Sequence, residues 1–211
     1  MERHLTDSSP FSRLFDGLTS LEERSLLFLL TFLLAGVGFP LLYADQPLHI
    51  DETIFIVMGQ SIADGSELYT GVIDHKPPGV FYVASVLSTL GFESYVAFRA
   101  LTALVVVTTG ALVFRLGTIL YDEAVGMVAG VLFLVATYLP HFDGFFFLTE
   151  PFAVCCTVVA ATLFLTSTSL RSRVGVGVAL GVGVLFIDLL PRLNSRCRTS
   201  ERIRSITDRD E

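Results

Sequence analysis

Long apolar runs broken by short polar segments set the pattern of this chain. Ser25 to Ala44 is about 20 apolar residues, the length that crosses a hydrocarbon core. Ala100 to Phe114 and Gly175 to Ile187 contain no charged residue at all. A soluble core would alternate buried and exposed positions, so uninterrupted apolar character points to lipid on all sides. Between the first and second long runs, two shorter amphipathic or apolar pieces stand out. Asp51 to Asp64 places Ile54, Phe55, Met58 and Ile62 at helical spacing, with Gly65 positioned to end the helix. Gly79 to Phe92 is apolar but too short for a comfortable span. The pattern predicts an all-α polytopic transmembrane helical bundle of about five spans, with two juxtamembrane surface helices in its first outer loop.

Composition agrees, with 52% hydrophobic residues and a mean hydropathy of +0.67. The 21 acids outnumber 14 bases, which excludes the basic face that nucleic-acid binding needs. Lys76 is the sole lysine; every other base is arginine. Cys155 and Cys156 sit inside an apolar run and Cys197 in the tail, without the His partners or spacing of a zinc site, so they read as packing residues. No metal is expected.

Charge decides the topology. Residues 1–24 form a polar cytoplasmic segment, too long and acidic for a cleaved leader, so the first apolar run is an anchor. Asp45 to Asp74 holds six acids and no Lys or Arg, which places that loop outside. If Gly79–Phe92 crossed the membrane, Arg115 and the Arg171-Ser172-Arg173 loop would both fall outside. If it lies on the surface, both fall inside, with crossings at Tyr95–Phe114, Ala124–Leu139, Phe145–Thr168 and Val174–Ile187. The second arrangement satisfies the rule twice. Arg99 remains an exception near the outer end of its helix, to be met by snorkelling or by an anionic partner. Gly177 and Gly181 form a small-xxx-small pair suited to close helix packing. The transmembrane module is read as residues 25–190, and 191–211 as a polar tail with six arginines that breaks the charge rule. That break predicts a truncated or frame-shifted end, or a last helix that does not cross.

Two groups offer chemistry. Asp51-Glu52 could simply cap a helix N-terminus, where carboxylates interact well with the dipole. Alternatively, one acid at the membrane surface could accept the proton of an attacking hydroxyl in glycosyl transfer. Lys76 lies in His75-Lys76-Pro77-Pro78-Gly79, where two prolines fix its exit direction, and a compact ammonium there suits a phosphate. Otherwise it is a chance surface lysine. Asp74 and His75 read as loop hydrogen-bonding residues. Glu150, before Pro151 and after three phenylalanines, is equally a helix-start residue or a second acid of the site.

Asp51-Glu52, Gly65-Ser66-Glu67-Leu68-Tyr69 and Asp74-His75-Lys76-Pro77-Pro78-Gly79 together resemble the first outer loop of the dolichyl-phosphate-mannose protein mannosyltransferase and aminoarabinose transferase superfamily. The resemblance spans roughly Ser25 to Phe186. It implies a membrane glycosyltransferase moving a mannose-like sugar from a polyprenyl-phosphate donor to a protein or glycolipid acceptor outside the cytoplasm. Asp51 would be the catalytic acid and Lys76 a contact of the donor phosphate. Arg99 would be a second such contact, and Glu52, Asp74, His75 and Glu150 supporting or acceptor-side groups. It implies no cofactor, a multi-pass location in the cell membrane, and an active site facing outward. Family members are longer, so the chain reads as an N-terminal portion whose own activity is open. The competing reading is a non-catalytic polytopic membrane protein or assembly partner.

Overall fold

The computed structural model describes residues 23–42, 46, 47, 49–71, 76–139 and 142–187. Among them there are seven helices and no strand: α1 (Glu23–Leu42), α2 (Ile50–Ala63), α3 (Gly79–Thr89), α4 (Tyr95–Leu120), α5 (Glu123–Thr137), α6 (Thr149–Thr166) and α7 (Leu170–Val184). Only α4 and α6 among these are both long and apolar enough to cross a membrane by length and composition. Residues 1–22 of the expected cytoplasmic segment, Asp74, His75, Cys197 and the 191–211 tail lie outside the described residues.

Local chemistry explains most boundaries. Ser94 starts α4, its Oγ accepting from the Val96 N–H at 3.3 Å. Asp122 starts α5 by accepting from the Val125 N–H at 2.8 Å. Such caps satisfy amides that the first turn of a helix leaves without partners. The connection between these helices is only Tyr121-Asp122, so the pair must fold back tightly. A Cβ on Gly126 would lie 2.5 Å from the Phe114 carbonyl oxygen, and glycine there lets the two backbones touch.

Three boundaries depart most from expectation. α4 runs to Leu120, six residues past the expected Phe114, so Arg115 lies inside the helix and not beyond its end. Phe145–Phe147 lie in the loop before α6, which begins at Thr149 and tolerates Pro151 because it falls in the first turn. Arg171 and Arg173 belong to the first turn of α7 and not to a loop, because the Ser169 hydroxyl caps that helix through the Ser172 N–H. The glycine contact also differs. Gly177 and Gly181 lie on the open side of α7, where an added Cβ would meet nothing within 4 Å. The close approach to α6 runs through Gly175, against Leu163, and Gly183, whose added Cβ would be 3.1 Å from that of Cys156.

The long helices alternate in direction, which brings their ends together at two levels. At one end, the last turn of α4 meets the first turn of α5, and Ser172 of α7 donates to the Leu163 carbonyl of α6 at 2.8 Å. At the opposite end gather the chain after α1, the starts of α2, α3, α4 and α6, and the end of α7. A phenylalanine-rich core fills this end: Phe55, Val80, Phe81, Phe98, Phe147, Phe152 and Phe186 pack together. A second core, with Phe32, Val106, Val107 and Leu134, joins α1, α4 and α5, where the Tyr138 hydroxyl donates to the Gly36 carbonyl at 2.6 Å.

α2 and α3 form a hairpin seated on the phenylalanine core. Their crossing is close because Gly59 faces Ala84; a Cβ on Gly59 would be 2.3 Å from that of Ala84. The outward sides of the long helices stay apolar, with Leu34, Leu132 and Phe164 exposed at 74%, 62% and 69%. Isolated exposed leucines are ordinary, but bands of them on several helices match an apolar surrounding.

Candidate active site

His49, just before α2, is its N-cap, and its Nδ1 accepts from the Asp51 N–H at 3.2 Å. Asp51 and Glu52 therefore occupy the first turn, where negative charge meets the positive end of the helix dipole. Successive helical residues point about 100° apart, so two adjacent carboxylates cannot face the same way. Here Glu52 turns inward and Asp51 toward the open side.

Glu52 is fully buried, and an unpaired charge at that depth would cost several kcal/mol. Arg99, 3% exposed on the first turns of α4, meets it with a two-pronged grip. Its Nε donates to Oε1 at 3.0 Å and its Nη2 to Oε2 at 2.8 Å. The Phe147 N–H donates to Oε1 as well, at 3.2 Å. Arg99 also donates to the carbonyls of Gln46 at 3.1 Å and Pro47 at 3.4 Å. Its guanidinium lies 5.2 Å from the Tyr95 ring centroid and 4.9 Å from that of Phe146, within cation–π range. This knot ties together the chain after α1, the start of α2, the start of α4 and the loop before α6. Of the two expectations for Arg99, snorkelling or an anionic partner, the structure shows the anionic partner.

Asp51 meets Lys76 across 25 positions of sequence, Nζ to Oδ2 at 2.8 Å. The Lys76 side chain is 18% exposed and that of Asp51 40%, so this pair stands at an opening and not in the core. The ammonium also lies 4.8 Å from the centroid of Phe55. The lysine backbone is held from both sides: the Tyr69 hydroxyl donates to the Lys76 carbonyl at 2.8 Å, and Pro77-Pro78 lead into α3. The first amide of α3, on Gly79, donates to the Leu185 carbonyl at the end of α7, 2.9 Å away. A Cβ at Gly79 would come within 2.6 Å of that oxygen, so glycine is required for the approach.

The structure thus brings Asp51 to Lys76 and Glu52 to Arg99. Arg99, expected beside the donor phosphate, has its guanidinium directed to Glu52 and two backbone carbonyls. Glu150 is bonded to neither pair. Its carboxylate is exposed, accepts from the Thr149 hydroxyl at 3.2 Å, and borders an apolar groove of about 260 Å³ with Val106, Thr109, Phe133, Phe142 and Val154. Sequence reasoning missed His49, the Phe147 amide and the Leu185 carbonyl, and it placed Tyr69 in a motif without giving it a part in holding Lys76. His49 stands directly before the Asp-Glu pair, but backbone groups leave no trace in side-chain identity.

Residues 75–187, just over half of the chain, match the dolichyl-phosphate-mannose-protein mannosyltransferase family. The chain belongs to that family. Its members are membrane-embedded glycosyltransferases of the mannosyltransferase type, which bears out the resemblance carried by the outer-loop motifs. The matched range of this mannosyltransferase-family chain contains Lys76, Arg99 and Glu150, while Asp51 and Glu52 precede it. No curated protein and no solved structure matches the chain.

Proposed function

We propose that this chain is the N-terminal portion of a glycosyltransferase that moves a hexose, mannose first among candidates, from a polyprenyl-phosphate carrier to a protein or glycolipid acceptor. The transfer takes place on the extracytoplasmic face of the cell membrane, with about five crossings and the α2–α3 hairpin lying on the surface. One observation carries the reading: Asp51 and the sole lysine, Lys76, meet at 2.8 Å beside an opening. A carboxylate and an ammonium side by side are what inverting transfer from a phosphate leaving group needs. Asp51 takes the proton of the acceptor hydroxyl, and Lys76 meets the charge that grows on the departing phosphate. Glu52 and Arg99 hold α2 in place beneath them, so Arg99 acts through Glu52. Asp74, His75 and Glu150 remain acceptor-side candidates.

The test is transfer of labelled sugar from a polyprenyl-phosphate donor by the reconstituted chain, alone and joined to the remaining helices of a longer relative. Transfer lost in Asp51→Asn, with insertion intact, supports the reading. Transfer that survives that substitution sinks it. A non-catalytic assembly role is the second reading, favoured by the fact that Asp51 is already neutralised by Lys76; it requires no transfer in either form.

A further inference from the structure

The two groups assigned to opposite halves of the reaction are bonded to each other. With Lys76 Nζ on Asp51 Oδ2 at 2.8 Å, the carboxylate that must receive a proton is engaged by an ammonium. The ammonium that must meet a phosphate is likewise already occupied. From this we infer that the Asp51–Lys76 pair is an exchange switch: an isoprenoid-linked phosphate draws Lys76 away from Asp51, and only then is Asp51 free to act as base. The inference rests on the glycosyltransferase reading above and adds to it an order of events, donor before acceptor.

Three features of the site fit an exchange and not a fixed strut. The pair is partly exposed, unlike Glu52–Arg99 beneath it, and partly exposed ion pairs hold weakly enough for a ligand to replace one partner. The Lys76 backbone is anchored by Tyr69 and by the Pro77-Pro78 entry to α3, so only the flexible side chain has to swing. The Phe55 ring, 4.8 Å from Nζ, offers the ammonium a favourable face that does not depend on Asp51. Glu52 is no substitute partner, since Arg99 and the Phe147 amide already engage its oxygens.

The chemical step then balances. The bond between the anomeric carbon and the phosphate oxygen breaks, its electron pair leaving on the phosphate, where Lys76 now stands. The acceptor oxygen bonds to the anomeric carbon, and its proton passes to the freed Asp51 carboxylate. Lys76 returns to an aspartate only after that proton and the lipid phosphate have left.

The sole lysine makes the switch observable. In the full chain, reconstituted in phosphatidylcholine nanodiscs with isotope-labelled lysine, one side-chain resonance reports on Lys76. Farnesyl phosphate is the probe, and farnesol, which lacks the phosphate, is its control. The expected result is a saturable shift of the Lys76 resonance with farnesyl phosphate and none with farnesol. Asp51→Asn should bind farnesyl phosphate about two- to five-fold tighter, because the Asp51 carboxylate no longer competes for the ammonium. Asp64→Asn, which removes an exposed acid at the other end of α2, should leave the affinity unchanged. An unaltered backbone spectrum certifies the fold of each variant. Binding with an unmoved Lys76 resonance, or an affinity that Asp51→Asn and Asp64→Asn change equally, overturns the switch while leaving the transferase reading intact. Absence of farnesyl phosphate binding together with absence of sugar transfer overturns both.

Discussion

Arg99 holds Glu52 through two parallel hydrogen bonds, at 3.0 and 2.8 Å, where neither side chain has meaningful contact with solvent. One residue earlier, Asp51 is bonded to a lysine in a partly open position. Adjacent acids thus serve different purposes, and the difference follows from the turn angle of a helix whose start is fixed by His49. The inner pair builds the floor on which the outer pair stands.

Breaking the inner pair from one side should unfold the site. Glu52→Ala leaves the Arg99 guanidinium buried without its counter-charge, and the cost of such a change is about 3–5 kcal/mol. Arg99→Lys should also destabilise, since a lysine cannot reproduce the two-pronged geometry or the stacking on Tyr95 and Phe146. Thermal unfolding in detergent is the measurement, and a midpoint close to that of the unaltered chain in Glu52→Ala would refute the structural assignment.

Asp51→Asn should behave in the opposite way. A partly exposed pair contributes about 0–1 kcal/mol, so the unfolding midpoint should barely move. Sugar transfer, by contrast, should disappear. A comparison of Asp51→Asn with Glu52→Gln by both readouts separates a catalytic acid from a supporting one. Equal stability losses in the two variants would count against the division of labour.

How much of this was legible beforehand follows from which forces are local. The all-helical class shows in the apolar runs, and the α2 boundary shows in Gly65, which adopts φ +99° where the helix ends. Lys76 stands out because it is alone of its kind. The alternatives left open for Arg99, snorkelling or pairing, could not be decided from sequence, since its partner lies 47 positions away. The loop placement of Phe145–Phe147 was equally hidden: hydrophobicity cannot distinguish a phenylalanine in a span from one that packs beneath a buried carboxylate. The stripe of Gly177 and Gly181 was misleading for a related reason. Small residues permit a close approach on any side, and the side that is used, through Gly175 and Gly183, depends on where α6 lies.

The α2–α3 crossing sets the distance between Asp51 and Lys76, because the two residues open or precede the two helices. Gly59→Val would drive a branched side chain into Ala84, whose Cβ is already 2.3 Å from the position of an added Cβ. Overpacking of this kind costs about 1–3 kcal/mol and shifts backbone. The expected outcome is a lowered unfolding midpoint together with weaker transfer. Gly65→Ala tests a strained turn in open space and should reduce stability by about 1 kcal/mol without altering the site.

Tyr69 offers the narrowest test of how Lys76 is held. Its hydroxyl donates to the Lys76 carbonyl at 2.8 Å, and its own backbone adopts φ +71°, a conformation that non-glycine residues seldom take. Tyr69→Phe keeps the ring and deletes the hydrogen bond, which is worth about 1 kcal/mol. The global fold should therefore survive. What should change is the fixed point from which the lysine side chain reaches, so the donor KM should rise several-fold while kcat changes less. Steady-state transfer kinetics over a range of donor concentrations distinguish this from general loss of structure, which would lower kcat with the amount of folded protein and leave KM where it was.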